Sequence, residues 1–316
     1  MVGKLTPDDQ ISASVLPQII DPDYPYGTPN KALRRCLDAK EGKPSDFQGN
    51  EQTEWGNRLE RIVLEETVRR LVLKDYELDI DTAFQHPELP LACSLDGKAN
   101  GNDQGFVTDV EAGIFVIGRD EIKLEGLGVL ECKVTAARPE PTPPLWRGPI
   151  QLQGQMMCVD AKWGAIATLY GGNTLYIYLF SAHPDTQMMI AESVVDFDWR
   201  LNSDPIEWYD IEHHTDPLTI YPNVEDDQPP LILPNHLEEL AKTILIAKEG
   251  KANFDAAVAD ATMAIQGYMG NHHTARCGNY EIKWPMRHTK AQPAKTTPAK
   301  PAKSKRVKTI SVKEVA

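Results

Sequence analysis

The sequence contains no apolar run of the roughly 18–20 residues that a membrane-spanning helix requires. Its most apolar stretch, Leu175 to Phe180, is only strand-length. The opening decapeptide, MVGKLTPDDQ, has no hydrophobic segment of the kind found in secretory signals, so a secreted protein is not expected. Cysteine is scarce: Cys36, Cys93, Cys132, Cys158 and Cys277 are an odd number, with no CxxC pair. That argues against a disulfide scaffold, a zinc ribbon or an iron–sulfur cluster, and fits a reducing cytoplasm. No solenoid-type repeat is present either.

What is there has globular proportions. The 316 residues are 41% hydrophobic and 25% charged, enough for one large domain or two ordinary ones. The net charge of −13 hides an asymmetry. Residues 287–316 hold nine Lys or Arg against the single acid Glu314, a net of +8, which leaves −21 on the preceding 286. Charge alone would not assign so acidic a body to nucleic acid, whose recognition usually leaves a basic footprint. Either it binds no polyanion, or a local basic channel and bound cations overcome the global sign. Two segments follow: a folded body over 1–286 and a Lys/Pro/Ala-rich tail over 287–316 that buries little and is expected to be disordered.

Within the body, the apolar spacing predicts a helix over 55–75, with residues 59, 62, 63, 64, 68, 71 and 72 at steps of three and four. Short strands are expected over 91–97 and 128–135, with a Gly- and Asp-rich hairpin between them over 98–127. A second helix is expected over 149–163. Two strands within 162–180 are joined by Gly171-Gly172-Asn173, a tight-turn composition. Beyond them we expect a polar segment with two more strands, helices near 235–249 and 252–268, and a last strand over 280–284. The order of helices and strands indicates an α/β domain built on one sheet.

The chemically informative stretch is LECK. Glu131 and Lys133 stand two apart on an expected strand, so both side chains share one face and Cys132 takes the other. A carboxylate beside an ammonium on a rigid strand suits a site that binds a cation and orients water. Taken alone, an ExK pair is more commonly a surface charge pair. Other residues accompany it. Asp96 in the ACSLDG segment sits at an expected strand end just before Gly97, where an isolated Asp usually marks a turn. Glu60 follows Trp55 and Gly56 on the long helix, where a glutamate is usually just solvated. Gln151 and Gln155, four apart, share one face of the second helix.

The ordered set, ISAS (11–14), WGNRLE (55–60), ACSLDG (92–97), LECK (130–133) and IQLQGQM (150–156), resembles the PD-(D/E)xK nucleases. Within them it is most similar to the lambda-exonuclease and YqaJ-type viral recombinase group, over roughly residues 11–180. The family shows a TAS-like triplet, WGxxxE, CSPDG, ExK and QxQ in this order; here the triplet reads Ser12-Ala13-Ser14, and Leu95 replaces the proline. The resemblance implies a restriction-endonuclease-like α/β core, with a central mixed sheet flanked by helices. It implies Asp96, Glu131, the Cys132 carbonyl and Glu60 as ligands of Mg2+, with Mn2+ substituting. Lys133 would hold or activate the attacking water, and Gln151 would position it. Hydrolysis would proceed in line, with cations stabilising the attacking and leaving oxygens. A carboxylate cluster of this kind favours phosphate only once loaded with cations, which eases the charge paradox.

By the same resemblance Ser14 lies near a 5′-terminal phosphate, although Pro7 stands where the family has an arginine. Arg58 and Arg147 are candidates for the DNA path. The implied activity is 5′→3′ digestion of double-stranded DNA ends, leaving 3′ single-stranded tails for an annealing protein. Lambda-type members form a homotrimer around DNA, and a phage-encoded enzyme would work in its host's cytoplasm. A structure-selective endonuclease, or a catalytically idle module binding DNA ends or a partner, are the alternatives. His213-His214 and His272-His273 lack a third ligand at suitable spacing and read as surface loops. Cys132 has no assignable His or Asn partner and reads as a small buried residue. Trp146 reads as a loop aromatic covering the core, with base stacking the alternative.

Overall fold

Capping residues and prolines decide where the helices start. A computed structural model describes residues 6–43 and 49–222, with short stretches between 243 and 283. The chain divides into two compact units, 1–221 and 222–316. In the first, a 3-10 turn (Ala13–Val15) leads into the short helix α1 (Leu16–Ile20). Helix α2 (Pro29–Lys40) opens at Thr28, whose hydroxyl accepts the Lys31 amide hydrogen, with Pro29 in the first turn. Helix α3 (Glu51–Arg70) opens at Asn50, whose side chain accepts from the Thr53 amide. Glu51 and Glu54 in its first turn, with Arg69 and Arg70 in its last, oppose the helix dipole. This helix starts earlier than the apolar spacing suggests and stops at Arg70, because Val72 takes a left-handed conformation (φ 54°) that turns the chain.

The strands follow: β1 (Asp75–Leu78), β2 (Phe84–Gln85), β3 (Ala92–Cys93), β4 (Gly97–Asn100), β5 (Gly105–Val107), β6 (Ile114–Val116), β7 (Glu121–Lys123) and β8 (Leu127–Thr135). Helix α4 (Pro149–Val159) precedes the hairpin of β9 (Trp163–Tyr170) and β10 (Thr174–Ser181), and α5 (Pro184–Asn202) and α6 (Asp216–Ile220) complete the unit. The main sheet has six strands in the order β1-β4-β8-β9-β10-β6. It is mixed: β8 runs parallel to β9, β10 runs parallel to β6, and the remaining pairs are antiparallel. The expected 98–127 hairpin is present as β5 and β7, but β6 leaves it to extend the main sheet.

Both faces of the sheet are covered. Val129, Ile166 and Tyr178 pack with Leu16, Leu33, Met156 and Phe197 of α1, α2, α4 and α5. Leu130, Ala165, Ala167 and Ile177 pack with Val63, Leu64 and Val68 of α3. This is the expected α/β architecture, a mixed sheet between helical layers. Trp163 anchors β9: its indole donates to the Gly126 carbonyl at 3.1 Å, and its ring lies so close over Gly128 that a Cβ there would meet it at 2.1 Å. The β9–β10 turn uses Gly171 and Gly172 at φ 56° and 79°, as the Gly-Gly-Asn composition predicts.

Two expectations need correction. Helix α4 ends at Val159 rather than reaching Trp163, because Asp160 is left-handed (φ 51°) and its amide closes the helix on Met156. Lys162 then donates to the Leu127 carbonyl, so Trp163 already belongs to the sheet. The polar segment after β10, read as two strands, is helix α5, whose buried residues Ile190, Val194, Phe197 and Leu201 follow helical spacing. Helix α2 had no counterpart in the sequence reading. In the second unit, Thr274–Cys277 (β11) and Tyr280–Lys283 (β12) pair antiparallel, the latter matching the expected last strand. Residues 243, 246–247, 249–257 and 260 are helical, but the remaining residues of the helices expected there, His272-His273 and the 287–316 tail lie outside the described residues.

Candidate active site

Strand alternation brings the chemistry to one face of β8. Val129 belongs to the layer under α4 and Leu130 to the opposite one, so Glu131 and Lys133 project toward α4 while Cys132 packs toward α3. Glu131 is almost fully buried, at 2% exposure. A buried carboxylate requires partners, and both of its oxygens have them. Oε1 accepts from the Lys133 ammonium at 2.6 Å and from the Gln151 amide at 2.7 Å. Oε2 accepts from the Gln155 amide at 2.6 Å. The Lys133 ammonium also donates to Gln151 Oε1 at 2.9 Å, which closes a three-membered ring of hydrogen bonds.

Asp96 enters from the next strand. The β4–β8 register pairs Gly97 with Leu130, so Asp96, one residue earlier, falls beside Glu131. Its Oδ2 accepts the Cys132 amide hydrogen at 2.8 Å. Burial raises the Asp96 pKa well above the usual carboxylate range, and the charges of Glu131 and Glu60 raise it further. Glu60 on α3 is raised in turn, by burial first and then by Glu131. Burial would lower the Lys133 pKa, but Glu131 and Asp96 outweigh it and hold the ammonium charged above its ordinary value. Three acids thus gather around the Lys133 ammonium. Cys132 is no nucleophile: burial, then Asp96, pushes its thiol pKa far up.

The serine triplet adjoins this site. Ser12 bridges to Ala92 at the start of β3, and the Ala92 amide donates to the Ile11 carbonyl at 2.8 Å. The exposed Ser14 meets the Ser12 hydroxyl at 2.9 Å. Gln155 ties the segments together by donating also to the Ser94 carbonyl. Arg147 and Arg58 stand differently. Arg147 pairs with Glu140 at 3.4 Å and lies 4.8 Å over the Trp146 ring. Arg58 is exposed beside Glu54 and over Trp55, with no contact to the carboxylates. His213 and His214 are exposed, and His213 bonds Thr215, as a surface loop would have it.

The sequence reading gave Gln155 no role of its own, although its four-residue spacing from Gln151 put both on one face. Its Oε1 is buried without a hydrogen-bond partner. Carboxylates, a backbone carbonyl and an orphan amide oxygen are the donors a hard divalent cation prefers, so the chemistry of the set fits Mg2+. Among the described residues, however, no three His, Cys, Asp or Glu side chains converge at ligand distances. Glu131 is turned to its amides, and holding an ion would require it to give one up.

Residues 8–159 match the YqaJ-like viral recombinase domain. Over this stretch the chain is similar to the YqaJ-like viral recombinase family. All five sequence motifs lie inside or at the edge of this domain. Among solved structures, the chain is similar to the alkaline exonuclease LHK-Exo of Laribacter hongkongensis, in complex with dAMP, at 13% identity and a TM-score of 0.45. That match covers 63% of this chain and 91% of the other. A phage-related exonuclease of Haemophilus somnus 129PT is similar at 12% identity and a TM-score of 0.40, over 60% of this chain and 91% of that one. No curated protein matches the chain. No helix among the described residues is long and apolar enough to cross a membrane.

Proposed function

We propose that this YqaJ-like domain is a metal-dependent 5′→3′ exodeoxyribonuclease that acts on double-stranded DNA ends. Its products would be 3′ single-stranded tails, substrates for an annealing protein in phage-type recombination. The observation that carries this reading is the ring formed by Glu131, Lys133 and Gln151 beside the buried Asp96. Such a cluster is costly to maintain unless it is used, because like charges are forced together out of water.

Asp96 and Glu131, supported by Glu60 and the Cys132 carbonyl, would hold Mg2+ or Mn2+. The ion would neutralise phosphate charge and lower the barrier to attack on phosphorus. The chain's own groups do the rest. Lys133, locked by two acceptors, presents its remaining hydrogen to a water or to a phosphate oxygen. Gln151, accepting from Lys133 and donating to Glu131, fixes the direction of both. Gln155 keeps Glu131 from rotating away.

The test is incubation of the purified protein with end-labelled linear duplex DNA and Mg2+, with and without a chelator. Progressive loss of the 5′-terminated strand, abolished by the chelator, is expected. Rapid nicking of closed circles would indicate an endonuclease, and tight binding with no cleavage a catalytically idle module.

A further inference from the structure

A cavity of about 270 Å3 lies where β6 and β10 end and where α4 and α5 begin, and none of Glu60, Asp96, Glu131 or Lys133 lines it. Gln151 and Gln155 face Glu131, whereas Gln153 points to the other side of α4 and into the wall of this cavity. Its amide donates to the Ser181 carbonyl at 2.8 Å, and its side-chain oxygen accepts from the His183 amide at 3.0 Å. Those two bonds fix the corner between β10 and α5. Ile117, Pro149, Ile150 and Phe180 supply apolar walls, with Leu145 beside them at 62% exposure.

The polar groups that these bonds leave over are donors. Arg119 is exposed and has no hydrogen-bond or ion-pair partner among the described residues. His183 accepts the Thr186 amide hydrogen on Nδ1 at 3.2 Å, which leaves the ring hydrogen on Nε2. Ser181 Oγ is buried without a partner, whereas buried hydroxyls are normally paired. In a chain of net charge −13, none of the residues lining this cavity is acidic.

Donors without acceptors call for an anion, and apolar walls in the same small space call for an apolar group attached to it. A DNA phosphate would use the donors and leave the walls bare. An internal Asp or Glu carries its charge at the tip of its side chain and brings no apolar group with it. A free amino acid would add an ammonium, and no carboxylate lines the cavity to meet it. On a polypeptide, the terminal α-carboxylate shares its carbon with the last side chain, so one residue brings both features.

We propose that this cavity is a docking site for the C-terminus of a partner polypeptide that ends in an apolar residue. The carboxylate lies toward Arg119, His183 and Ser181, and the last side chain lies against Ile117, Ile150 and Phe180. The proposal stands independently of the nuclease reading.

The test follows fluorescence anisotropy of N-terminally labelled glycine–serine peptides, one ending in phenylalanine and one in leucine, with the full chain. Each is used as the free acid and as the C-terminal amide, with a chelator present. At least one free acid should bind saturably, and its amide about tenfold more weakly, because charge-assisted hydrogen bonds are lost. Arg119→Gln should weaken the free acid about tenfold, and Leu145→Asp, which sets an acid beside the carboxylate, should weaken it as well. Both residues are exposed, so their replacement should leave the fold intact, which circular dichroism checks. Trp199→Ala, on the exposed side of α5, should leave the affinity unchanged. No saturable binding of either free acid, equal binding of acid and amide, or wild-type affinity in both Arg119→Gln and Leu145→Asp would overturn the proposal. Displacement of the peptide by free phenylalanine at the peptide's own affinity would give the cavity to an amino acid instead. Displacement by a short DNA duplex would give it to DNA, and either result overturns peptide docking.

Discussion

The carboxylate of Asp96 accepts the Cys132 amide hydrogen at 2.8 Å, just beyond the last Gly97–Leu130 pair of the β4–β8 ladder. A side chain thus satisfies the backbone where the strands part, and an acid is held beside Glu131. The raised pKa of Asp96 makes this arrangement a liability without a cation. A carboxyl that holds its proton more tightly in the folded than in the unfolded chain destabilises the fold once pH rises above the ordinary carboxylate range. Metal-free protein should therefore lose stability as pH climbs from that range through the raised folded pKa. Asp96→Asn, which keeps the acceptor and removes the charge, should raise the melting temperature in chelator at neutral pH. The gain is about 2–4 °C for each kcal/mol recovered. Thermal scans of both proteins across pH check it; a lower melting temperature for Asp96→Asn would contradict the burial argument.

Gln155 is expected to matter as much for the fold as for the site. It is 1% exposed, and its amide serves both Glu131 Oε2 and the Ser94 carbonyl. Gln155→Leu leaves a buried carboxylate oxygen and a carbonyl without a donor, at a cost of about 1–3 kcal/mol. Chemical denaturation should show this loss, together with reduced cleavage by the folded fraction.

Gly128 tests the sheet that carries Glu131. A Cβ there would strike the Trp163 ring, which is fixed by its bond to Gly126. Gly128→Ala should destabilise by about 1–3 kcal/mol, the usual cost of overpacking a core. An unchanged denaturation midpoint would show that Trp163 moves freely.

Much of this site was legible in the sequence, for a physical reason. Two-residue alternation fixes the face of Glu131 and Lys133 whatever surrounds the strand, and four-residue spacing does the same for Gln151 and Gln155. Turn chemistry was equally local, as Gly171 and Gly172 show. What escaped depends on distant partners. Helix α5 is rich in β-branched and aromatic residues (Val194, Val195, Phe197, Trp199), and its helical state follows from packing Ile190, Val194 and Phe197 onto the sheet. The end of α4 is set by a left-handed Asp160 that no periodicity reveals.

The position of the serine triplet bears on substrate choice. Ser12 and Ser14 adjoin β3 and, through it, the Asp96 segment. Linear duplex carrying a 5′-phosphate should be degraded faster than the same duplex with a 5′-hydroxyl, and closed circular DNA should resist. Initial rates on the three substrates decide this; equal rates on the two linear forms would remove the triplet from end recognition.

The most direct test of the whole account is the cleavage rate of Glu131→Ala on end-labelled linear duplex with Mg2+, measured beside wild type. The cluster converges on this one carboxylate, so its removal should cut the rate by more than about 100-fold. Circular dichroism should still report a folded protein. A folded Glu131→Ala that degrades the duplex at the wild-type rate would contradict the assignment of the site.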